Sequence, residues 1–265
     1  MPKTAFRWLA VGALVAGLSV GAADAAELKV VSAGAMRAVL QQLAPEFEKA
    51  SGHKLSIEYA TAGKVEEKVT ADETIDVAIL TKPRTDKLVR SAKLVGGSTA
   101  PLAKAQIGVA VKKGAPKPDI SSVDAFKKSL LTAKSVAYVD PASGGTTGIH
   151  LAKELEKLGI AAELKPKTKL VSTSPGQDSP RVGEAVAKGE AEIGMQPISE
   201  LQEVQGIEVV GPLPAELQSP DLVYVAASPF ISEQPIAAKA FIDFLTGPKA
   251  APVYKAKGLE PVFGG

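Results

Sequence analysis

A short apolar strand, a turn of small residues and a helix-like run follow one another repeatedly along this chain. LKVVSAG (Leu28–Gly34) and LSIEYATAG (Leu55–Gly63) each end in small residues before a helix-like run, and IDVAILT (Ile75–Thr81) is a third strand. This alternation is typical of α/β folds with a parallel sheet, whose ligands bind beyond the carboxyl ends of the strands. We therefore expect the functional site at the edge where these strands end in Ser, Thr, Gly and Ala.

A second series of strands and helices begins after a break rich in Lys, Gly and Pro. AQIGVAVKKGAPKP (Ala105–Pro118) reads as a strand followed by that break, and SVAYVD (Ser135–Asp140) starts the second series. DLVYVAAS (Asp221–Ser228) is the expected return strand. The chain of 265 residues is long enough for two lobes. The expected units are a signal peptide (residues 1–25), lobe 1 (residues 26–106 plus 226–265) and lobe 2 (residues 107–225).

The N-terminus carries the pattern of a secretory signal peptide. Lys3 and Arg7 form a short basic region before the apolar stretch WLAVGALVAGLSVGAA, and the small-x-small sequence Ala23-Asp24-Ala25 follows. A membrane anchor is the alternative, but the apolar stretch is short and diluted with Gly and Ala. We expect cleavage after Ala25 and a periplasmic protein without a membrane anchor.

Composition argues against several classes of function. The chain has no cysteine, which excludes disulfides, thiol catalysis and thiol-ligated metals. The formal net charge is +2 and no basic run is interleaved with aromatic residues, which argues against nucleic-acid binding. Histidine–carboxylate metal spacing, phosphate-binding loops and dinucleotide fingerprints are also missing from the sequence. We predict neither a metal site nor a cofactor.

The loop DPASGGTTGIH (Asp140–His150) has the composition of an anion-binding site at the start of a helix. Its glycines permit a tight turn, and the N–H groups and dipole of a helix N-terminus favour negative charge. The alternative is a capped helix, with Thr146 or Thr147 as N-cap and nothing bound. The position of the loop within the α/β series favours anion binding. The predicted ligand residues of this loop are Ser143, Gly144, Gly145, Thr146 and Thr147.

A second polar loop, STSPGQDSPRVGE, precedes the next predicted helix. Its candidate ligand residues are Ser174, Gln177, Ser179 and Arg181. The planar guanidinium of arginine pairs with a carboxylate through two hydrogen bonds, so Arg181 favours an organic acid as the ligand. The alternative is a solvated arginine that pairs with Asp178 or Glu184 at the surface.

Further basic residues follow the strand ends. Arg37, Lys64, Lys82 and Arg84 come just after the first three strands. Together they predict a positive rim around the cleft, suited to a ligand with more than one negative charge. Alternatively, each is a surface charge on a helix or loop.

His150, one of only two histidines, lies near the first turn of the helix that follows the Gly-Thr loop. A histidine pKa near neutrality makes it a candidate general acid or base. A surface or packing role is the alternative, because the sequence offers no matching acidic partner.

The order of these segments resembles the molybdate-type (ModA-like) periplasmic solute-binding proteins. The resemblance rests on VVSAGAM, DPASGGTTGIHLAKELEKLG, AVAKGEAEIGM and the C-terminal AFIDFLTGPKAAPVYKAKGL, and it covers most of the chain after Ala25. It implies a two-lobed type II periplasmic-binding-protein fold with a hinge of two crossing strands and a ligand cleft between the lobes. It also implies a monomer that delivers a small anionic ligand to an ABC permease.

The residues at the family's ligand positions differ from those expected for molybdate. In members that hold molybdate, the first strand ends in a serine and the second in a serine-rich turn. Here Ala35 and Thr61 stand at the matching positions, and Pro197 stands near that of a family tyrosine. These departures favour an organic polycarboxylate over molybdate. The ligand residues expected from lobe 1 are Ser32, Ala35, Arg37 and Thr61.

Two functions remain open from the sequence. The first is the binding subunit of an ABC importer, which closes on a small anion such as an aconitate-like tricarboxylate. The second is catalysis, because the resemblance extends to an aconitate isomerase branch of the family. That reaction is an allylic proton shift, which needs a base and stabilisation of the developing negative charge. His150 would be the base, and the Gly-Thr loop with Arg181 would stabilise the charge.

Overall fold

The computed structural model describes residues 25–174 and 178–263. The expected signal peptide, apart from Ala25, and Gln177 of the second polar loop lie outside the described residues. No helix of the described ranges is both long and apolar enough to cross a membrane.

Strands and helices alternate through most of the described chain. The strands are β1 (Glu27–Ala33), β2 (Lys54–Ala60), β3 (Val77–Thr81), β4 (Ala100–Ala105), β5 (Ile107–Lys112), β6 (Val136–Val139), β7 (Thr168–Val171), β8 (Ile193–Pro197), β9 (Ile207–Pro212), β10 (Val223–Ala227) and β11 (Leu259–Pro261). The helices are α1 (Arg37–Ser51), α2 (Ala62–Thr70), α3 (Lys82–Arg90), α4 (Val123–Thr132), α5 (Thr146–Lys157), α6 (Ala161–Leu164), α7 (Val182–Ala187), α8 (Ile198–Leu201), α9 (Pro235–Leu245) and α10 (Ala250–Ala256).

Each lobe is built around one mixed sheet. In lobe 1 the strand order is β11-β4-β10-β3-β1-β2, and β1 runs parallel to β2 and β3. In lobe 2 the order is β7-β6-β8-β5-β9, and β6 runs parallel to β7 and β8. The strands β5 and β10 are antiparallel to their neighbours, because each enters its sheet from the other lobe. The two-lobed α/β fold predicted from the sequence is confirmed.

Two segments connect the lobes. The strand β4 ends at Ala105 in lobe 1, and β5 begins at Ile107 in lobe 2. On the return segment, the Gln218 side chain accepts a hydrogen bond from the Ile107 N–H (2.9 Å) and donates one to the Ile107 carbonyl (2.9 Å). The return strand β10 pairs with lobe 1 from Val223 onward, so the boundary expected between residues 225 and 226 falls inside that strand. We therefore propose that lobe 2 ends before Val223.

The first strand–helix unit illustrates how the sequence positions a helix at the cleft. A tight turn, Gly34–Met36, leads directly from β1 into α1. Val39, Leu40 and Leu43 of α1 are fully buried in the core, which fixes the helix against the sheet. The helix ends at Ser51 and is capped by Gly52, whose φ of +77° is the left-handed conformation that glycine adopts without strain. The N-terminus of α1 therefore lies at the carboxyl end of β1.

Candidate ligand cleft

Strands from both sheets end at a cleft between the two lobes. In this arrangement the lobes leave a cavity of about 40 Å³ between them, partly open to solvent. Lobe 1 contributes Ala33, Gly34, Ala35, Ala60, Thr61, Ala62 and Tyr224. Lobe 2 contributes Val139, Gly145, Thr146, Thr147, Ser179, Pro180, Gln196, Pro197 and Glu200. The cleft lies where the strand–turn–helix pattern predicts a site.

Three helix N-termini border this cleft. The turn before α1 contributes Gly34, Thr61 is the N-cap of α2, and Gly145 is the N-cap of α5. The first N–H groups of a helix have no partner within the helix, and the helix dipole places partial positive charge there. The cleft can therefore stabilise negative charge with neutral donors.

Thr146 is the residue of the Gly-Thr loop whose side chain is least satisfied. It is the first residue of α5 and Thr147 is the second, so neither threonine is the N-cap. The Oγ1 atom of Thr146 is buried and has no hydrogen-bond partner within residues 25–174 and 178–263. An unpaired buried hydroxyl costs about 1–3 kcal/mol. A polar ligand atom in the cleft would remove that penalty.

Ser143 and Gly144 join the two lobes instead of lining the cleft. Thr61 Oγ1 donates a hydrogen bond to the Ser143 carbonyl (2.7 Å), and the Gly63 N–H donates one to the Gly144 carbonyl (3.1 Å). The Ser143 hydroxyl is engaged within its own loop, where it donates to the Asp140 carbonyl (2.7 Å). The lobes are thus in direct contact, and the arrangement is a closed form of the cleft.

Arg37 is paired across the lobes and does not line the cleft. Its Nη1 lies 2.8 Å from Asp178 Oδ2, its Nη2 lies 2.5 Å from Asp178 Oδ1, and Nη2 also lies 3.1 Å from the Ser179 hydroxyl. The guanidinium lies 4.1 Å from the centroid of the Tyr59 ring. Burial alone would raise the pKa of Asp178, but the Arg37 pairing outweighs burial and holds that pKa below its ordinary value. Arg37 therefore bridges lobe 1 and the second polar loop.

Arg181 also lies outside the cleft lining. Its Nε is 3.7 Å from Glu184 Oε1, and its side chain borders a neighbouring cavity together with Arg37 and Glu203. This geometry matches the alternative interpretation, in which Arg181 pairs with a nearby carboxylate. Ser179 of the same loop is buried and does line the cleft.

The predicted positive rim does not form as a set of free charges. Its other members each pair with a carboxylate of their own or an adjacent helix. The pairs are Lys64–Glu67, Lys82–Asp86 and Arg84–Glu66. The net positive charge available to a ligand is therefore smaller than the sequence implies.

Two more predicted site residues lie away from the cleft. His150 Nε2 is 2.9 Å from the Leu217 carbonyl, on the segment that returns to lobe 1. Ser32 is buried inside β1, where its hydroxyl lies 3.2 Å from the Ala33 carbonyl. Ala35 lines the cleft, but only with a methyl group. The described geometry therefore brings Thr61, Thr146 and Ser179 together and leaves His150 and Ser32 apart from them.

The cleft contains a carboxyl group that the sequence analysis missed. Glu200 follows β8 on the short helix α8, and its Oε2 accepts a hydrogen bond from Gln196 Nε2 (2.6 Å). The Gln196 amide is itself fixed, since it donates to the Pro180 carbonyl (3.0 Å) and accepts from the Val182 N–H (3.0 Å). In the sequence, the feature that could have identified Glu200 as a site residue is its position three residues after Pro197, where β8 ends.

The environment of Glu200 favours its neutral form. The residue is partly exposed to the cleft, but burial of the carboxyl raises its pKa to about 8. Repulsion from Glu203 acts in the same direction, whereas Arg37, Gln196 and Arg181 act against it. At neutral pH the cleft therefore holds a largely protonated carboxylic acid, which can donate a hydrogen bond to an anion.

The sequence matches a family model described as bacterial extracellular solute-binding protein over residues 28–260. An aconitate isomerase from Pseudomonas sp. is 36% identical over 262 residues, which span 96% of each chain. The molybdate-binding protein ModA of Azotobacter vinelandii is 29% identical over 255 residues, or 94% of this chain and 95% of that one. The solved periplasmic molybdate-binding protein of Azotobacter vinelandii has a TM-score of 0.72 at 23% identity, covering 88% of this chain and 98% of that chain.

These similarities extend over both lobes and nearly the whole chain. The likeness to the solved structure shows the two-lobed fold of periplasmic binding proteins, and the sequence matches confirm the resemblance to ModA. Proteins of this family bind small solutes outside the cytoplasm. The chain belongs to the bacterial extracellular solute-binding protein family, among its ModA-like members.

Proposed function

We propose that the protein captures a small organic polycarboxylate of the aconitate type in the cleft between its lobes. The observation that carries this proposal is the buried, unpartnered Thr146 Oγ1 at the N-terminus of α5, beside the starts of two other helices. Three converging helix N-termini suit a ligand with several carboxylates better than one with a single charge. Gly145, Thr146, Thr147, Thr61 and Ser179 would contact the ligand.

The composition of the cleft wall supports an organic ligand over molybdate. Ala33, Ala35, Ala60 and Ala62 line the side formed by lobe 1. Their methyl groups provide apolar contact for a carbon skeleton, which an oxyanion lacks. The protonated carboxyl of Glu200 can donate a hydrogen bond to a ligand carboxylate. The relative with 36% identity is named an aconitate isomerase, which supports the same ligand class.

Isothermal titration calorimetry of the chain from residue 26 onward tests this proposal. The ligands are trans-aconitate, tricarballylate and molybdate, each titrated at pH 7. We expect saturable binding of the polycarboxylates and weaker or no binding of molybdate. Molybdate binding that is tighter than that of every polycarboxylate would contradict the proposal.

As a carrier, the closed protein would present its ligand to the permease of an ABC importer. This role rests on the family, and the substrate-binding domain of a putative molybdenum ABC transporter from Clostridium difficile has a similar fold. Export through a cleaved signal peptide and a monomeric state belong to the same proposal. Size-exclusion chromatography with light scattering checks the expected monomer mass.

A second candidate function is the interconversion of trans- and cis-aconitate in the same cleft. The observation that favours it is the similarity to a named aconitate isomerase over 96% of the chain. A proton NMR time course with trans-aconitate as the only solute distinguishes catalysis from carriage. Growth of the cis-aconitate vinyl signal would establish turnover. A constant spectrum with ligand line broadening would leave the protein as a carrier.

A further inference from the structure

We propose that Glu200 transfers a proton between the two terminal carbons of an aconitate-type ligand bound in the cleft. This inference rests on the proposed binding of such a ligand and assigns the base that the isomerisation needs. Glu200 takes the role of general base that was expected for His150, because the His150 ring is hydrogen-bonded to the Leu217 carbonyl and does not line the cleft.

The position of Glu200 places its carboxyl against lobe 1 as well as lobe 2. A Cβ on Gly34, at the end of β1, would lie 3.3 Å from Glu200 Oε2 and 3.2 Å from Ser179 Oγ. The backbone of lobe 1 therefore approaches the carboxyl closely because residue 34 has no side chain. Any ligand enclosed between the lobes at this point lies next to Glu200.

Of the two carboxyl oxygens of Glu200, Oε2 accepts a hydrogen bond and Oε1 accepts none from the described residues. Gln196 Nε2 donates to Oε2 at 2.6 Å, and its own bonds to Pro180 and Val182 fix the amide in place. No described residue donates a hydrogen bond to Oε1. A carboxylate that is oriented through one oxygen and open at the other has the arrangement required of a general base.

Glu200 is also the residue of the cleft lining that can gain and lose a proton near neutral pH. Of the described residues that line the cleft, Glu200 and Tyr224 are the titratable ones. Burial raises the pKa of Tyr224 further above its ordinary value, so the phenol stays protonated. Burial and Glu203 raise the pKa of Glu200 to about 8 against the effects of Arg37 and Arg181. A general base works best when its pKa is near the working pH.

The chemical step is balanced without an oxidant or a cofactor. The ionised form of Glu200, which becomes more abundant as the pH rises toward 8, removes a proton from the methylene carbon of trans-aconitate. The C–H electron pair forms a new double bond to the central carbon. The former double-bond pair moves to the other terminal carbon, which takes the proton back from Glu200. Negative charge that develops on the ligand carboxylates is stabilised by the N-terminus of α5.

The test compares wild type with Glu200→Gln, which keeps the shape of the protonated carboxyl but cannot accept the proton. Isomerisation of trans-aconitate is followed by proton NMR, and affinity is measured by calorimetry. We expect affinity within a few-fold of wild type and turnover lower by about 100-fold or more. Glu200→Asp keeps a carboxyl group and is expected to retain part of the turnover. Thermal unfolding verifies that both variants are folded.

Glu203→Gln is the matched control, because Glu203 is a neighbouring carboxylate that does not line the cleft. Removing its charge takes away one influence that raises the Glu200 pKa. We expect this variant to retain turnover, with the rise of its pH–rate profile displaced to lower pH. A merely structural role for Glu200 would not produce that displacement.

The outcomes separate this inference from the proposed function. Wild-type turnover that survives in a folded Glu200→Gln variant overturns the role of Glu200. Binding of aconitate without any turnover in wild type also overturns it, but leaves the carrier function intact. Absence of aconitate binding in wild type overturns both proposals.

Discussion

At the residue scale, the unpaired hydroxyl of Thr146 is the feature that points most directly to a ligand. Because its buried hydroxyl has no partner within the described residues, Thr146→Val removes an unsatisfied group from the free protein and a donor from the complex. We expect the free energy of unfolding to stay level or rise, while aconitate affinity falls about tenfold. Calorimetry and urea unfolding measure the two effects.

Thr146→Ser is the control, because it keeps the hydroxyl and is expected to keep most of the affinity. If Thr146→Val bound aconitate as tightly as wild type, the hydroxyl would have no role in binding.

For His150 we expect the opposite of Thr146, namely a loss of stability without a loss of ligand affinity. Its bond to the Leu217 carbonyl lies within lobe 2 and away from the cleft lining. We expect His150→Ala to lose about 1 kcal/mol of unfolding free energy, the worth of one hydrogen bond, with aconitate affinity unchanged. Urea unfolding and calorimetry measure both quantities. Loss of binding or of turnover in a folded variant would restore His150 as a site residue.

The sequence predicts which loops lie at the cleft better than it predicts the role of each side chain. The Gly-Thr loop lies at the cleft, because it follows the carboxyl end of β6, where ligands bind in open α/β sheets. The role of Arg37 depends on Asp178, which only the tertiary fold brings close to it. Arg181 lies near Glu184, three residues further along the chain, as its alternative interpretation predicts. Glu200 was missed because a carboxylate is not the residue expected in an anion site, and only burial reveals it as a neutral acid.

At the scale of elements, the start of α2 and the Gly-Thr loop are in direct contact across the two lobes. A Cβ on Gly63 would lie 2.8 Å from the Gly144 carbonyl oxygen, so Gly63→Ala forces the two lobes apart. Overpacking of this kind costs about 1–3 kcal/mol, and here it would destabilise the closed form of the cleft. We expect aconitate affinity to fall about tenfold or more, with a larger radius of gyration in small-angle X-ray scattering.

Gly97→Ala, the same substitution at another position of lobe 1, is the control for Gly63→Ala. A Cβ on Gly97 meets no atom within 4 Å, so its affinity and radius should match those of wild type. Equal affinity in Gly63→Ala and Gly97→Ala would show that closure does not require the Gly63–Gly144 contact.

The strands and helices themselves were largely predictable. Leu28–Gly34, Leu55–Gly63 and Ile75–Thr81 correspond to the strands and turns that precede α1, α2 and α3. The return strand is recognisable from the sequence. The proposed end of lobe 2 before Val223 rests on the pairing of β10 with β3 and β4, whose residues lie more than a hundred positions earlier in the chain.

At the scale of the whole molecule, Glu200 couples stability to pH. Its pKa is about 8 in the folded protein against an ordinary value of 4.5. Between these values the folded state keeps a proton that the unfolded chain has lost, so the free energy of unfolding falls as pH rises. The limiting slope is about 1.4 kcal/mol per pH unit.

Glu200→Gln removes this titration. We expect wild type to lose more unfolding free energy than the variant between pH 5 and pH 8, measured by urea unfolding in the absence of ligand. Parallel curves for the two proteins would mean that Glu200 titrates normally in the folded state.

Binding of a polycarboxylate at the helix N-termini between the lobes is tested most directly by amide chemical shifts. Uniformly ¹⁵N-labelled protein is titrated with trans-aconitate, and backbone resonances are followed by two-dimensional NMR. We expect the largest shifts on the amides of Gly145, Thr146 and Thr147, with others near Gly34 and Thr61. Shifts confined to residues outside the cleft, or no shifts at saturating aconitate, would contradict this expectation.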